Sequence, residues 1–227
     1  MTSTSPLVAH GQPTEYFTFV SLSSLGVPHA TTTKHCPGVS SFAEPIVPEA
    51  PKPPFRSEAT AVLGATGLEM SRVSYARQVH GADVARVPAG GGFAGLVDVL
   101  VTVERGVPLA IFTADCLAIV LYDPSARALC VAHVGWRGTV RGATQTAVRA
   151  IRDVGARPGS LRAAIAPSRG GHVMLDLWSA NEALLVEAGV APESIENPRL
   201  CTACHPDLLY SYRRGNRGRL VTVAAVP

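Results

Sequence analysis

The chain has 227 residues, 47% of them apolar and 16% charged, a composition that suits a globular protein with a sizeable core and excludes disorder of the whole. Its formal net charge is only +3, and the positive residues are scattered and almost all arginine, Lys34 and Lys52 being the lysines; without a basic stripe interleaved with aromatics, nucleic acid is not an expected partner. No apolar run reaches the roughly 18–20 residues that span a bilayer and the N-terminus lacks the pattern of a secretory signal, so the expectation is a cytoplasmic protein with no membrane partner and five reduced cysteines.

Along the chain, TEYFTFVSL reads as a strand and GVPHATTTKHCPGVSSFAEP as a loop leaving its end. The proline-rich stretch over residues 46–56 can be neither helix nor central strand, and is expected to be a surface loop within one domain spanning 1–227. SEATAVLGATGL carries apolar residues at helical spacing behind Ser57, a candidate N-cap. VSYARQVHGADVARV reads as extended chain broken at His80-Gly81, where glycine permits a sharp turn, and VDVLVTV and PLAIFTADC supply further strands.

The runs LAIVLY and RALCVAHV flank Asp123-Pro124-Ser125-Ala126, a type I turn signal, and together predict a hairpin. A turn centred between Pro124 and Ser125 sets Cys116 directly opposite His133, with Cα atoms roughly 4.5–5.5 Å apart, while Cys130 points to the other face. Beyond Gly138 the apolar period becomes helical, with Val140, Ala143, Ala147, Val148, Ile151 and Val154 on one face and Thr139 as cap. That helix would bring its N-terminal amides and Arg137 close to the Cys116/His133 face, an arrangement suited to an anion such as phosphate. LRAAIAP, LDLWSANEALLVEAGV and GRLVTVAAV then predict a strand, a helix ended by glycine and a closing strand. Intermixed strands and helices with several hairpins point to one α/β (α+β) domain with mixed β-sheets.

A cysteine facing a histidine can be core packing, a nucleophile with its base, or two ligands of a metal site. His80, beside a glycine at the end of an extended run, is the third member. One thiolate and two imidazoles suit Zn²⁺ and leave a fourth position for water or substrate; the uneven gaps between the three exclude a zinc finger. CTACH, residues 201–205, fits the c-type haem attachment pattern, but the absence of an export signal argues against it.

The runs QVHGADV (78–84), ADC (114–116), HVGWRGT (133–139) and the tail LDLWSAN, LCT, YSYRR and GR resemble, in order, the motifs of the laccase-domain family, from about Val27 to the C-terminus. That family was once named for polyphenol oxidase activity; its members are described as purine nucleoside phosphorylases that also deaminate adenosine, and some as peptidoglycan editing factors. The resemblance implies a layered α/β sandwich with mixed sheets, metal ligands at His80, Cys116 and His133, and purine nucleosides with phosphate as substrates. The metal would be zinc, with copper the alternative. Arg213 matches a family arginine and, with Arg137, is a candidate for phosphate or nucleoside contact. Lys34 stands where the family carries an arginine in an N-terminal loop. Asp115 is a candidate for proton handling, its alternative being a structural turn carboxylate. A metal-free hydrolase using Cys116 and His133, acting on peptidoglycan amides, is the rival reading. The family segment that follows the strand at Pro167 is shortened here, which predicts a more open pocket and a permissive enzyme; His172 and Trp178, just beyond the join, are the first residues to examine should something else close it.

Overall fold

The computed structural model describes residues 5–38, 55–170 and 175–227, so the expected loop at 46–56 lies outside the described residues except for its last two, and His172 lies outside them as well. A seven-stranded sheet is built from β1 (Leu7–His10), β2 (Tyr16–Phe19), β3 (His29–Thr32), β4 (Ser74–Tyr75), β6 (Gly92–Phe93), β8 (Leu109–Thr113) and β13 (Leu220–Ala224). A six-stranded sheet holds β5 (Val84–Arg86), β7 (Val99–Thr102), β9 (Leu117–Asp123), β10 (Ala128–Val134), β11 (Arg162–Ile165) and β12 (Ile195–Glu196). The helices are α1 (Val20–Ser24), α2 (Ser57–Gly64), α3 (Trp136–Val140), α4 (Ala143–Asp153) and α5 (Leu177–Glu187). The strand orders are β1-β2-β3-β13-β8-β4-β6 and β12-β11-β9-β10-β7-β5. Both sheets are mixed: β4 is parallel to β6 and β8, and β5 to β7, while β9, β10 and β13 pair antiparallel with both neighbours. Among the described residues no helix is long and apolar enough to cross a membrane.

The two sheets pack face to face through Leu100, Leu109, Ile111, Val120, Leu129 and Val131. The opposite face of the six-stranded sheet packs on α4 and α5 through Ile119, Ala132, Ala147, Ile151 and Leu185, and the outer face of the seven-stranded sheet on α2 through Tyr75, Val221, Ala59 and Leu63. The result is the layered sandwich with mixed sheets that the family resemblance implies. Covered on both faces, β9 and β10 are buried at every residue, and their near-continuous apolar sequence follows from that position.

Several local expectations are corrected. TEYFTFVSL is a strand only to Phe19 and then turns into α1. HATT, expected in a loop, is the interior strand β3: its threonine hydroxyls find partners, Thr31 Oγ1 on Thr222 Oγ1 at 3.0 Å and Thr32 Oγ1 accepting from the Val221 amide at 2.8 Å. Those bonds remove the cost of burying a polar strand. Ser57 is the first residue of α2 and makes no cap; Arg56 precedes the helix with no side-chain hydrogen bond to it. The helix expected past Gly138 is two helices, because Gly142 adopts φ +81 between them, and Val140 is 75% exposed on the first.

The hairpin register also differs. Asp123 Oδ1 accepts from the amides of Ser125 and Ala126, and Arg127 takes φ +51, so the loop holds four residues and Asp123 pairs with Ala128. His133 therefore opposes Ala118, not Cys116. The shift is by two positions and conserves the face to which each side chain points.

Candidate metal centre

The structure brings the three expected side chains together at one end of the layer between the sheets. One donor atom from each of His80, Cys116 and His133 lies within 4.8 Å of the others, and Cys116 Sγ is 4.0 Å from His80 Nε2. The His80 and His133 rings meet edge to face with centroids 4.8 Å apart.

His80 and Cys116 come from two different connections and His133 from strand β10. His80 sits in the loop between β4 and β5 with φ +59, and it is this histidine, rather than the adjacent glycine, that takes the left-handed conformation. A carboxylate that the sequence reading passed over holds it there. Asp98, fully buried at the start of β7, accepts from three successive amides, those of Val79 (3.2 Å), His80 (3.0 Å) and Gly81 (2.7 Å). Arg141 Nη1 donates to the His80 carbonyl at 3.0 Å from the far side. Asp98 also accepts from His133 Nδ1 at 2.7 Å, which turns Nε2 of that buried ring toward the other two side chains. One carboxylate thus positions two of the three donors. The signal in the sequence is an aspartate in the apolar run LVDVLVTV, where a buried charge requires a partner.

Cys116 lies just before β9, after Asp115 with φ +89. Backbone strain here is tolerated because the Asp115 carboxylate is tied down: Oδ1 accepts from Thr202 Oγ1 at 2.7 Å and Oδ2 from the Arg213 amide at 2.8 Å. Asp115 is therefore the clamp between the Cys116 turn and the C-terminal segment, with both oxygens engaged. Gly135, at the join of β10 and α3, lets the backbone approach the sulfur; a Cβ there would stand 2.7 Å from Cys116 Sγ and 3.4 Å from His80 Cδ2.

Burial pushes the Cys116 thiol up, but hydrogen bonds and charge from His133 and His80 outweigh it and bring its pKa to about 6. Burial of His133 favours the neutral ring, yet the hydrogen bonds to Asp98 and Cys116 raise it to about 9. Asp98 is itself held below the ordinary carboxylate range: burial opposes ionisation, and His133 and the Gly81 and Val79 amides overcome it. The pocket stabilises a thiolate beside an imidazolium that a metal ion can replace.

A thiolate and two imidazoles match the donor set of zinc and of other borderline or soft ions. Bonds of about 2.3 Å to sulfur and 2.0–2.1 Å to nitrogen are long enough for one ion to span the Cys116–His80 gap. Three protein donors leave a further position open, and Asp98 behind His133 supplies the carboxylate–histidine support common to such centres.

Of the other expected residues, Arg137 is exposed in the first turn of α3, with Cζ 5.2 Å from the ring centroid of Trp136. Arg213 lines a cavity of about 590 Å³ with Tyr212, Asn216, Arg217 and Arg219. Lys34 Nζ donates to the Pro206 carbonyl at 2.6 Å. Trp178 is buried and donates to Ser168 Oγ at 2.7 Å, with its ring packed against Gly170.

Comparison with known proteins gives consistent matches. The family described as multi-copper polyphenol oxidoreductase laccase matches residues 56–171 and 167–227. A purine nucleoside phosphorylase of Deinococcus radiodurans is 35% identical over 242 residues, covering 90% of this chain and 91% of that protein. Adenosine deaminase RL5 from an unknown prokaryotic organism is 32% identical over 159 residues, 56% of this chain and 61% of its own. In fold, the Bacillus licheniformis hypothetical protein YfiH superposes with a TM-score of 0.82 at 23% identity, over 99% of this chain and all of that one.

Proposed function

The chain belongs to the multi-copper polyphenol oxidoreductase laccase family, and from that membership we propose that it is a zinc-dependent purine nucleoside phosphorylase. Its substrates are phosphate with adenosine, inosine or 5′-methylthioadenosine, and adenosine deamination is a second activity of the same site. The observation that carries this reading is the convergence of His80, Cys116 and His133, supported by Asp98, at an open-sided centre. Zinc, when bound there, supplies a Lewis acid that polarises a phosphate, sugar or water oxygen; copper is the alternative ion for the same donors. The protein is assigned to the cytoplasm.

The chain's own residues carry the rest. Asp98 fixes His133 with Nε2 inward and holds the His80 turn; Gly135 keeps space beside the sulfur. Arg137 and Arg213 are assigned to the anionic substrate, Arg137 because it leaves the chain two residues past Gly135 and Arg213 because its amide is anchored on Asp115, next to Cys116. Lys34, engaged with one carbonyl, retains donors for the same anion. Asp115, with both oxygens occupied, positions the Cys116 turn.

A second reading is favoured by the thiolate–imidazolium pair of Cys116 and His133, which is the resting state of a cysteine nucleophile with its base, acting on peptidoglycan amides. Product analysis separates the two. Incubation of adenosine with and without phosphate should yield adenine and ribose 1-phosphate only when phosphate is present, together with some inosine in both cases, and chelator should abolish all of it. Chelator-resistant turnover of a muropeptide, blocked by iodoacetamide, with no nucleoside consumed would overturn the proposal.

A further inference from the structure

Away from the candidate metal centre, the described residues bring two sulfurs together at one place. Cys201 and Cys204 lie on a tight turn closed by hydrogen bonds of 3.2 Å from the Cys204 and His205 amides to the Cys201 carbonyl. Such a turn keeps its end Cα atoms within about 7 Å, and a disulfide requires about 4.4–6.8 Å, so the backbone already presents the two residues at bridging distance. The pair is asymmetric. Cys201 is 6% exposed, and its sulfur accepts from the Gly170 amide at 3.4 Å, whereas Cys204 is exposed, and its hydrogen bond with Cys201 pushes its thiol up against the opposing charges of Arg214 and Arg169. The turn is anchored through its two central residues: Thr202 donates to Asp115, and Arg214 Nε to the Ala203 carbonyl at 2.8 Å. The proposed nucleoside chemistry uses neither sulfur.

We propose that Cys201 and Cys204 form a redox-active dithiol that closes reversibly to an intramolecular disulfide by exchange with a small-molecule disulfide. The exposed Cys204 sulfur attacks the small disulfide; that S–S bond breaks, a mixed disulfide forms on Cys204, and the departing thiolate takes up the Cys204 proton. The Cys201 sulfur then attacks the Cys204 sulfur, the protein S–S bond forms as the mixed one breaks, and the second small thiolate leaves with the Cys201 proton. Two electrons pass from the protein to the small disulfide. Cys201 suits the resolving role: burial raises its pKa, but the Gly170 amide and the Cys204 thiol hold it below the ordinary thiol range. Cys36 and Cys130 are excluded from such exchange because both are buried and burial pushes their thiols up, that of Cys36 to about 12.

The test uses the full chain loaded with zinc, so that Cys116 is sequestered, equilibrated in buffers of reduced and oxidised glutathione, quenched by alkylation and mapped by peptide mass spectrometry. The expected result is a 201–204 disulfide, lighter by two hydrogens, that forms while Cys36 and Cys130 remain reduced and reopens with excess thiol. Cys201→Ser should leave Cys204 as a persistent glutathione adduct, and Cys204→Ser should leave Cys201 reduced. Wild-type protein that carries no internal disulfide at any glutathione ratio, or a Cys201→Ser protein that takes up no glutathione, overturns the proposal. Both readouts are independent of nucleoside turnover.

Discussion

Asp98 holds two of the three donors in place, His80 through its backbone amide and His133 through its ring. Replacing it with asparagine keeps the oxygen that accepts from the Val79 and Gly81 amides but sets an NH2 group where Oδ1 accepted from the His80 amide and His133 Nδ1, and it removes the charge that holds the His133 ring. Zinc affinity should fall by about 10–100-fold, measured by competition with a chromophoric chelator, while the fold persists; unchanged affinity would show that the carboxylate serves only the backbone. Cys116 offers a second measurement. In metal-free protein its thiolate persists down to about pH 6, so iodoacetamide should label it at neutral pH, the rate falling as pH drops through 6, while Cys36 and Cys130 stay unlabelled. One equivalent of zinc should block the label on Cys116, mapped by peptide mass spectrometry and apart from that on the exposed Cys204, and Cys116 labelling that zinc leaves untouched would place the ion elsewhere. The three donors were legible in the sequence because cysteine and histidine between apolar strands are costly unless they find partners. Asp98 was missed because a lone aspartate at a strand start is ordinarily solvated, and nothing in the run LVDVLVTV says which amides will fold back onto it.

At the scale of elements, the site depends on how β10 passes into α3. The chain leaves the sheet at Val134 and enters the helix at Trp136, with Gly135 between, its backbone against the Cys116 sulfur. Asn181 holds that helix in place from α5: fully buried, it donates to Thr139 Oγ1 and accepts from Thr144 Oγ1 at 2.6 Å. Gly135→Ala sets a methyl group 2.7 Å from the sulfur, so either Cys116 or the helix must move. Loss of bound zinc with near-native circular dichroism is the expected outcome, and full occupancy would show that the strand–helix join yields without cost. Strand and helix types in this region follow from apolar period. The hairpin register and the α3–α4 break do not, because each is set by one left-handed residue, Arg127 and Gly142, whose conformation the apolar pattern does not encode. The interior strand β3 escaped notice for a related reason: its threonines look polar until their hydroxyls are paired across strands.

Across the whole molecule, the centre joins parts of the chain that pack in different places. His80 belongs to the β4–β5 connection, which leaves the seven-stranded sheet and enters the six-stranded one, Cys116 to the β8–β9 connection between the same two sheets, and His133 to the interior strand β10. An ion bound to all three is a cross-link between the two sheets. It should stabilise the folded state by about 2.7 kcal/mol at a free concentration 100-fold above its Kd. For a chain of this size that corresponds to a rise in Tm of about 5–10 °C, read by calorimetry of metal-free and zinc-loaded protein; coincident transitions would mean that the ligands do not converge on one ion. The mixed α/β character was legible from the mixture of hairpins and helices, and the layering from the family resemblance, but which connections meet at one end of the sheets is a property of the strand order, and local sequence carries little of it. The most direct measurement titrates zinc into metal-free protein while phosphate-dependent cleavage of inosine is followed. The account predicts no activity at the start, a linear rise, and a plateau at one zinc per chain that is absent in His133→Ala; full turnover before any metal is added would contradict it.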